Sequence, residues 1–149
     1  MESKTTLEII IENAEFAKEF PYFITVQLEG YDDKRRTAVS DKTKTPTFKE
    51  NKFYLPLKDY DLMIQQRLII CSFLIVKNPE DIDENKITGQ AKQLGESILD
   101  LAPLTSSLTN INQVPVRQRI DLLRRQGETN AVVGRLNITL KIGLKYILI

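Results

Sequence analysis

Residues 44 to 57 read KTPTFKENKFYLPL, a polar turn that leads at once into alternating apolar residues. Pro46 fixes its own φ and restricts the residue before it to extended conformations, so the turn ends cleanly. Phe53, Leu55 and Leu57 then recur at every second position, the period of a strand with one buried face. We predict that Phe48 folds onto the edge of the sheet while Phe53 and Leu55 enter the core.

The same period of two recurs along much of the chain. The alternating sets are Leu7, Ile9 and Ile11; Tyr22, Ile24, Val26 and Leu28; and Leu136, Ile138, Leu140, Ile142, Leu144, Tyr146 and Leu148. Residues 68 to 76 are apolar on both faces, and residues 36 to 40 form a short β-compatible stretch. Helical periodicity is weak everywhere and strongest in residues 96 to 101. The pattern predicts an all-β fold, an eight-stranded antiparallel β-sandwich in a single domain spanning residues 1–149.

The composition argues against most catalytic mechanisms and metal sites. The chain has 149 residues, no histidine, no tryptophan and a single cysteine, so zinc sites and Ser-His mechanisms are not indicated. Phosphate-binding glycine motifs and nucleophile-elbow motifs are missing. A formal net charge of +1 does not favour binding to nucleic acid. We therefore predict that the protein is not an enzyme, requires no cofactor and resides in the cytoplasm, with a peripheral position at a membrane or at a cytoskeletal or ciliary structure left open.

The order of the segments resembles a known family. LEIIIENAEF and FPYFITVQL resemble the first two strands of a C2 domain, and KTPTFKENKFYLPL resembles its Asn-Pro-x-Trp-Asn-Glu-x-Phe element. KITGQAKQLGESILDL and IDLLRRQGETNAVVGRLNITLKI resemble its Ile-Gly region and its closing Gly-x-Leu-x-Leu-x-Leu strand. Because that strand comes last, the resemblance implies type II topology. It also implies a non-catalytic module that binds anionic phospholipid, in many members through calcium ions held by clustered aspartates.

The calcium-binding residues that the resemblance implies are largely missing. Phe20 occupies the position of the aspartate expected before Pro-Tyr, and Lys77 and Asn78 fall where aspartates are expected in the third loop. Calcium takes six to eight oxygen ligands, which isolated carboxylates do not supply. Only Asp81 and Asp83 remain as weak residual candidates for a metal site. We therefore predict calcium independence.

Basic residues offer an alternative binding surface. In the family, the third and fourth strands form a basic face that takes phosphoinositide head groups or acidic protein segments. The residues that match this region by position are Lys34, Arg36, Lys42 and Lys44, and a second basic stretch holds Arg117, Arg119, Arg124 and Arg125. Ordinary solvated sheet faces would explain both groups equally simply.

Two functions remain open at this stage. The first is a calcium-independent adaptor that binds protein partners within a larger trafficking, centriolar or ciliary scaffold. The second is a membrane-targeting module that docks its basic face on anionic phospholipid, with Phe16 and Phe20 of the first loop inserting into the membrane. The apolar ending IGLKYILI suggests one module, such as an N-terminal one, of a longer protein, or a strand edge that pairs with a second copy. The balanced charge and the missing aspartates favour the adaptor.

Overall fold

The computed structural model describes residues 2–56, 66–101 and 115–147. The secondary structure elements are β1 (Glu2–Phe16), β2 (Tyr22–Leu28), β3 (Lys34–Arg36), β4 (Lys52–Pro56), β5 (Arg67–Ile75), α1 (Ile87–Gln90), β6 (Ala91–Asp100), β7 (Val116–Gln126) and β8 (Thr129–Ile147). Two 3-10 turns, Pro79–Asp81 and Glu84–Lys86, precede α1. The predicted strand positions Leu57 and Leu148 lie outside the described residues.

The strands form two antiparallel layers. Their hydrogen-bonded order is β3-β2-β5-β6-β7-β8-β1-β4. Because β6 and β7 pair only at Glu96 and Leu123, the order divides into a first sheet, β3-β2-β5-β6, and a second sheet, β7-β8-β1-β4. The Gly-x-Leu-x-Leu strand is β8, which comes last and lies between β7 and β1. The predicted eight-stranded antiparallel sandwich is confirmed, and the last strand closes the chain as type II topology requires.

Alternation predicted most strands but failed in two places. The stretch with the strongest helical periodicity, residues 96 to 101, lies almost entirely in β6, because pairing with β5 outweighs its local pattern. β3 also ends earlier than predicted, at Arg36. Residues 37 to 40 still follow β2, since the Thr37 and Ser40 amides donate to the carbonyls of Ile24 and Tyr22 at 2.9 and 2.8 Å.

One hydrophobic core joins the two sheets. Its members include Ile9 and Leu55 from the second sheet and Ile24 and Ile70 from the first, all of them at most 1% exposed. Phe48 is also buried in this core, so the predicted role of the polar turn is confirmed. In the described part of the chain, no helix is long and apolar enough to cross a membrane.

A close contact at the end of β1 restricts one position to glycine. Gly134 of β8 lies directly opposite Phe16 of β1, whose ring stacks on Tyr22 of the first sheet at a centroid distance of 3.9 Å. A Cβ atom on Gly134 would lie 2.6 Å from two ring carbons of Phe16 and 3.1 Å from the carbonyl oxygen of Glu15. The absence of a side chain at Gly134 therefore lets Phe16 bridge the two sheets.

We expect Gly134→Ala to destabilise the fold by about 2 kcal/mol, because the added methyl group displaces the Phe16 ring. Gly143→Ala is the matched control in the same strand, since a Cβ atom there meets no atom within 4 Å. Urea unfolding of the two variants measures the difference. Equal stability of the two variants would contradict the packing argument.

Tyr22 makes the stability of the fold fall as the pH rises through the alkaline range. Burial raises the pKa of its phenol from 10.0 to about 12, and the hydroxyl donates to the carbonyl of Lys18. The unfolded chain loses this proton near pH 10 and the folded chain only near 12. The Tyr22 contribution to stability is therefore fully present below pH 10 and is lost as the pH rises through 12.

We expect the free energy of unfolding, measured by urea titration at a series of pH values, to fall less steeply above pH 10 in Tyr22→Phe than in the wild type. The other tyrosines and the lysines titrate in both proteins, so the difference between the two curves isolates Tyr22. Parallel curves for the two proteins would refute this assignment.

Candidate functional site

The four predicted cations of the basic face do not form one cluster. Lys34 and Arg36 lie on β3 and point to the outer face of the first sheet, opposite Gln27 and Thr25 of β2. Lys42 instead lines a cavity at one end of the sandwich. Lys44 is exposed on a segment beside β1, where its carbonyl accepts a hydrogen bond from the Phe16 amide at 2.8 Å. Of the four, only Lys34 and Arg36 therefore share a site.

A pocket on the outer face of the first sheet, here the β3 pocket, surrounds these two cations. Its volume is about 450 Å³, and its lining residues are Phe23, Thr25, Lys34, Arg35, Arg36, Phe73, Asn85, Ile87 and Ala91. Three cations line the pocket and no carboxylate does. This imbalance of charge suits an anionic ligand.

Aromatic packing forms the base of the β3 pocket. The rings of Phe23 and Phe73 stack at a centroid distance of 4.9 Å with an interplanar angle of 4°. The Arg36 guanidinium lies 5.5 Å from the centroid of Phe23 and donates to the Thr37 carbonyl at 3.0 Å. Arg35 is already paired with Asp33 at 2.9 Å. Arg36 is thus held over the apolar floor, and Lys34 lines the same pocket.

The cavity at the end of the sandwich, here the tip cavity, lies where the resemblance placed calcium. Its volume is about 430 Å³, and it is lined by Glu19, Phe20, Pro21, Lys42, Val76, Lys77, Asn78 and Asp81. The two carboxylates share the cavity with two ammonium groups, which compete with any cation. Within residues 2–56, 66–101 and 115–147, no three or more metal-ligating side chains gather at one place. The donor set does not fit calcium, which needs six to eight oxygen ligands.

The two residual metal candidates lie in different environments. Asp81 lines the tip cavity, but Asp83 does not. The Asp83 carboxylate accepts a hydrogen bond from the Asn85 amide at 3.0 Å and so caps the second 3-10 turn. Asp83 therefore has a local structural role.

Phe16 and Phe20, predicted to insert into a membrane, also differ. Phe16 is the last residue of β1, is only 7% exposed and stacks on Tyr22, so it does not project from the tip. Phe20 is half-buried, packs edge-on against Tyr22 at 6.2 Å and lines the tip cavity. Val76 of the same cavity, which the sequence did not single out, is 69% exposed.

The second basic stretch is divided by the geometry of β7. Arg117 and Arg119 lie on the outer face of the second sheet, opposite Thr139 and Asn137. A register shift after Leu122 separates them from Arg124 and Arg125, which approach the β7–β8 turn.

Charges on the outer face of the second sheet mostly pair with one another. The ion pairs are Arg119–Glu15 at 3.1 Å, Arg135–Asp121 at 3.2 Å and Lys52–Glu8 at 3.1 Å. Exposed pairs of this kind contribute little stability, but they leave less unbalanced charge for a ligand. The β3 pocket is therefore the better candidate for binding an anion.

Comparison with solved structures identifies the fold. No protein-family model matches the sequence, and no curated protein matches it. The solved structure of C2 domain A of plant extended synaptotagmin 1 is similar to this chain. The TM-score is 0.68 and the sequence identity is 14%, over 99% of this chain and 100% of that chain. The paired C2 domains A and B of extended synaptotagmin 2, solved with calcium bound, match with a TM-score of 0.60 and 17% identity, over 95% of this chain and 42% of that chain.

A third solved structure, human GIVD cytosolic phospholipase A2, matches with a TM-score of 0.55 and 12% identity, over 96% of this chain but 16% of that chain. Identities this low carry the fold and nothing finer. The predicted resemblance is confirmed at that level: the chain has the C2 fold.

Proposed function

We propose that this chain is a non-catalytic, calcium-independent adaptor module that binds an acidic segment of a protein partner in the β3 pocket. The observation that carries the proposal is the lining of that pocket, in which Lys34, Arg36 and the Asp33-paired Arg35 stand around a stacked pair of phenylalanines and no carboxylate lines the pocket. Lys34 and Arg36 supply charge-assisted hydrogen bonds to carboxylates. Phe73, which is only partly buried, supplies an apolar surface for a neighbouring side chain of the partner.

Calcium independence rests on the tip cavity. Glu19 and Asp81 are the carboxylates that line it, and Lys42 and Lys77 line it with them. A calcium ion there would meet two ammonium groups in place of further oxygen ligands. Docking through calcium is therefore not the mechanism that we propose, although one solved neighbour of this fold contains bound calcium.

A protein ligand suits the pocket better than a lipid surface does. Each cation beside an anionic leaflet contributes ~1 kcal/mol, so Lys34 and Arg36 alone would give weak and salt-sensitive membrane binding. Lys42 and Lys44, which were expected to strengthen that face, lie elsewhere. A peptide, in contrast, gains from the pocket's apolar floor as well as from its charge.

Membrane targeting is the second candidate function. It is favoured by Lys42, Lys77 and the exposed Val76, which lie together at the tip cavity. In that case the protein would dock tip-first on anionic phospholipid. Vesicle binding separates this candidate from the adaptor.

We expect calcium to leave the thermal unfolding midpoint unchanged, because a ligand present below its dissociation constant adds almost no stability. The measurement compares melting in about 1 mM CaCl2, roughly the dissociation constant of the weakest extracellular calcium modules, with melting in chelator. The double variant Lys42→Asp, Lys77→Asp gives the cavity four carboxylates in place of two, and we expect calcium to stabilise it. A calcium-dependent rise in the wild type would contradict calcium independence.

We expect Lys34→Glu combined with Arg36→Glu to weaken binding to an acidic peptide at least about tenfold, because each charged hydrogen bond is worth about 1.5–3 kcal/mol. The probe is a fluorescein-labelled peptide that contains four glutamates and one phenylalanine, and the readout is anisotropy at two salt concentrations. Arg117→Glu combined with Lys141→Glu, on the second sheet, changes the net charge equally and should bind as the wild type does. Unaltered melting of both variants shows that they are folded.

The same proteins are tested for co-sedimentation with vesicles of phosphatidylcholine and phosphatidylserine, with and without phosphoinositide. Peptide binding that the β3 pocket variant loses, without vesicle binding, supports the adaptor. The variant Lys42→Glu, Lys77→Glu is added to this comparison. If the wild type binds vesicles, this variant does not, and neither of them binds the peptide, membrane targeting replaces the adaptor as the proposed function.

A further inference from the structure

The described residues expose four large apolar side chains, and three of them lie side by side. Ile98 of β6 is 47% exposed, Leu123 of β7 is 36% exposed and Val132 of β8 is 50% exposed; the fourth, Val76, is at the tip. We call the first three the β6–β7 patch. Scattered apolar residues are normal on a protein surface, but adjacent ones are characteristic of a binding site.

Strand pairing brings the patch together. Leu123 lies opposite Glu96 of β6 on one side and opposite Val132 of β8 on the other. Directly paired residues on neighbouring strands project to the same side of the sheet, with Cβ atoms ~5 Å apart. Ile98 is two residues from Glu96 along β6 and therefore projects to that side as well.

Gly95 shows which side of β6 is outside. A Cβ atom on Gly95 would lie 2.5 Å from Cγ2 of Val133, so Gly95 and Val133 face each other between the layers. Their chain neighbours Glu96 and Val132 therefore point outward. The patch faces solvent at the corner where the first sheet meets the second.

The patch continues the surface that holds the β3 pocket. One row of paired residues runs from Lys34 through Gln27 and Ile69 to Ile98. Three strand spacings separate the ends of this row, a distance of ~14 Å. A cationic edge and an apolar edge thus lie on one outer face.

In the next row of paired residues, the two middle side chains are small and almost inaccessible to solvent. A second row runs from Arg36 through Thr25 and Cys71 to Glu96. Thr25 and Cys71 are 6% and 8% exposed, and burial together with the neighbouring Glu96 raises the pKa of Cys71. Glu96 places a negative charge at the β6 end of this row, directly beside Leu123.

We propose that the partner of the β3 pocket is an amphipathic segment whose acidic residues contact Lys34 and Arg36 and whose large apolar residues cover the β6–β7 patch. This proposal rests on the proposed function, because it extends the same binding face. The charge pattern selects the partner: carboxylates at one end, apolar side chains ~14 Å away, and a polar or basic residue next to those apolar side chains to face Glu96.

Two other occupants fit the patch less well. A stable dimer buries ~800 Å² on each subunit, which three partly exposed side chains do not supply. A lipid surface would have to desolvate Glu96 in the centre of the contact, at a cost that a polar group of a protein partner avoids.

The experiment selects peptides from a random phage library, each peptide about 16 residues long so that in extended form it spans the ~14 Å between the two edges with room to spare. Selection is on the whole chain, with depletion on the empty support, so that dependence on the patch is measured and not selected for; the patch variants are Ile98→Asp and Leu123→Asp. Enriched peptides are synthesised, and their affinities are measured by anisotropy for the wild type, for each single variant and for Lys34→Glu. Val76→Asp is the matched control, because it also places a carboxylate at an exposed apolar residue but outside this face. Melting curves establish that every variant is folded.

We expect enriched peptides to carry acidic residues towards one end and at least two large apolar residues towards the other. We expect Ile98→Asp, Leu123→Asp and Lys34→Glu each to weaken their binding about tenfold or more, and Val76→Asp to leave it unchanged. Replacing the apolar residues of the peptide by serine should remove its sensitivity to Leu123→Asp.

Several results would overturn the inference. Peptides that lose affinity for Lys34→Glu but bind Leu123→Asp normally would leave the proposed function standing and remove the patch from the interface. Peptides that depend on the patch but not on Lys34 would keep the patch as a binding surface and contradict the proposed function of the β3 pocket. A library that yields no peptide whose binding Ile98→Asp or Leu123→Asp weakens, a dimer in sedimentation velocity that Leu123→Asp dissociates, or phosphatidylcholine vesicles that bind only through the patch would each refute an amphipathic protein partner.

Discussion

The first strand holds the sandwich together, because it pairs with β4 along one edge and with β8 along the other. Its last residue, Phe16, leaves this layer and stacks on Tyr22 of the opposite sheet. That crossing requires a glycine at position 134, the residue opposite Phe16 in β8. The end of the sandwich at which the loops meet is therefore fixed by a packing contact between the first, second and last strands.

Local periodicity predicted the strands that have one buried face. β1, β4 and β8 each show it, since their inward residues recur at every second position, and β2 shows it too although Phe23 and Thr25 on its other face are also buried. β6 does not, because Gly95 contributes no side chain to its inner face and Ile98 is exposed on its outer face. Its apolar residues therefore lack the strand period, and only pairing with β5, interrupted by an irregularity after Ser72, defines it as a strand. Such pairing joins distant segments and leaves no local pattern in the sequence.

Only part of the candidate site was predicted, because the rest also depends on pairing between distant segments of the chain. Lys34 and Arg36 were assigned to the basic face through the family resemblance, and they share a face because they alternate on one short strand. Lys42 and Lys44 were expected to extend that face, but the chain leaves the first sheet in between: Thr43 bridges to Phe20, and the Lys44 carbonyl already bonds to β1. The β6–β7 patch was missed altogether, since it depends on pairing between Glu96 and Leu123.

The two outer faces of the sandwich differ in how their charges are arranged. On the second sheet, Arg119 and Arg135 meet Glu15 and Asp121 across neighbouring strands, so most of the charge is neutralised within the face. On the first sheet, cations gather at the β3 edge, and apolar side chains gather at the β6 edge beside Glu96. A face whose charged and apolar groups are segregated has little to gain from its own neighbours. No carboxylate lines the β3 pocket beside its cations, and for that reason we propose that the interaction lies on the first sheet.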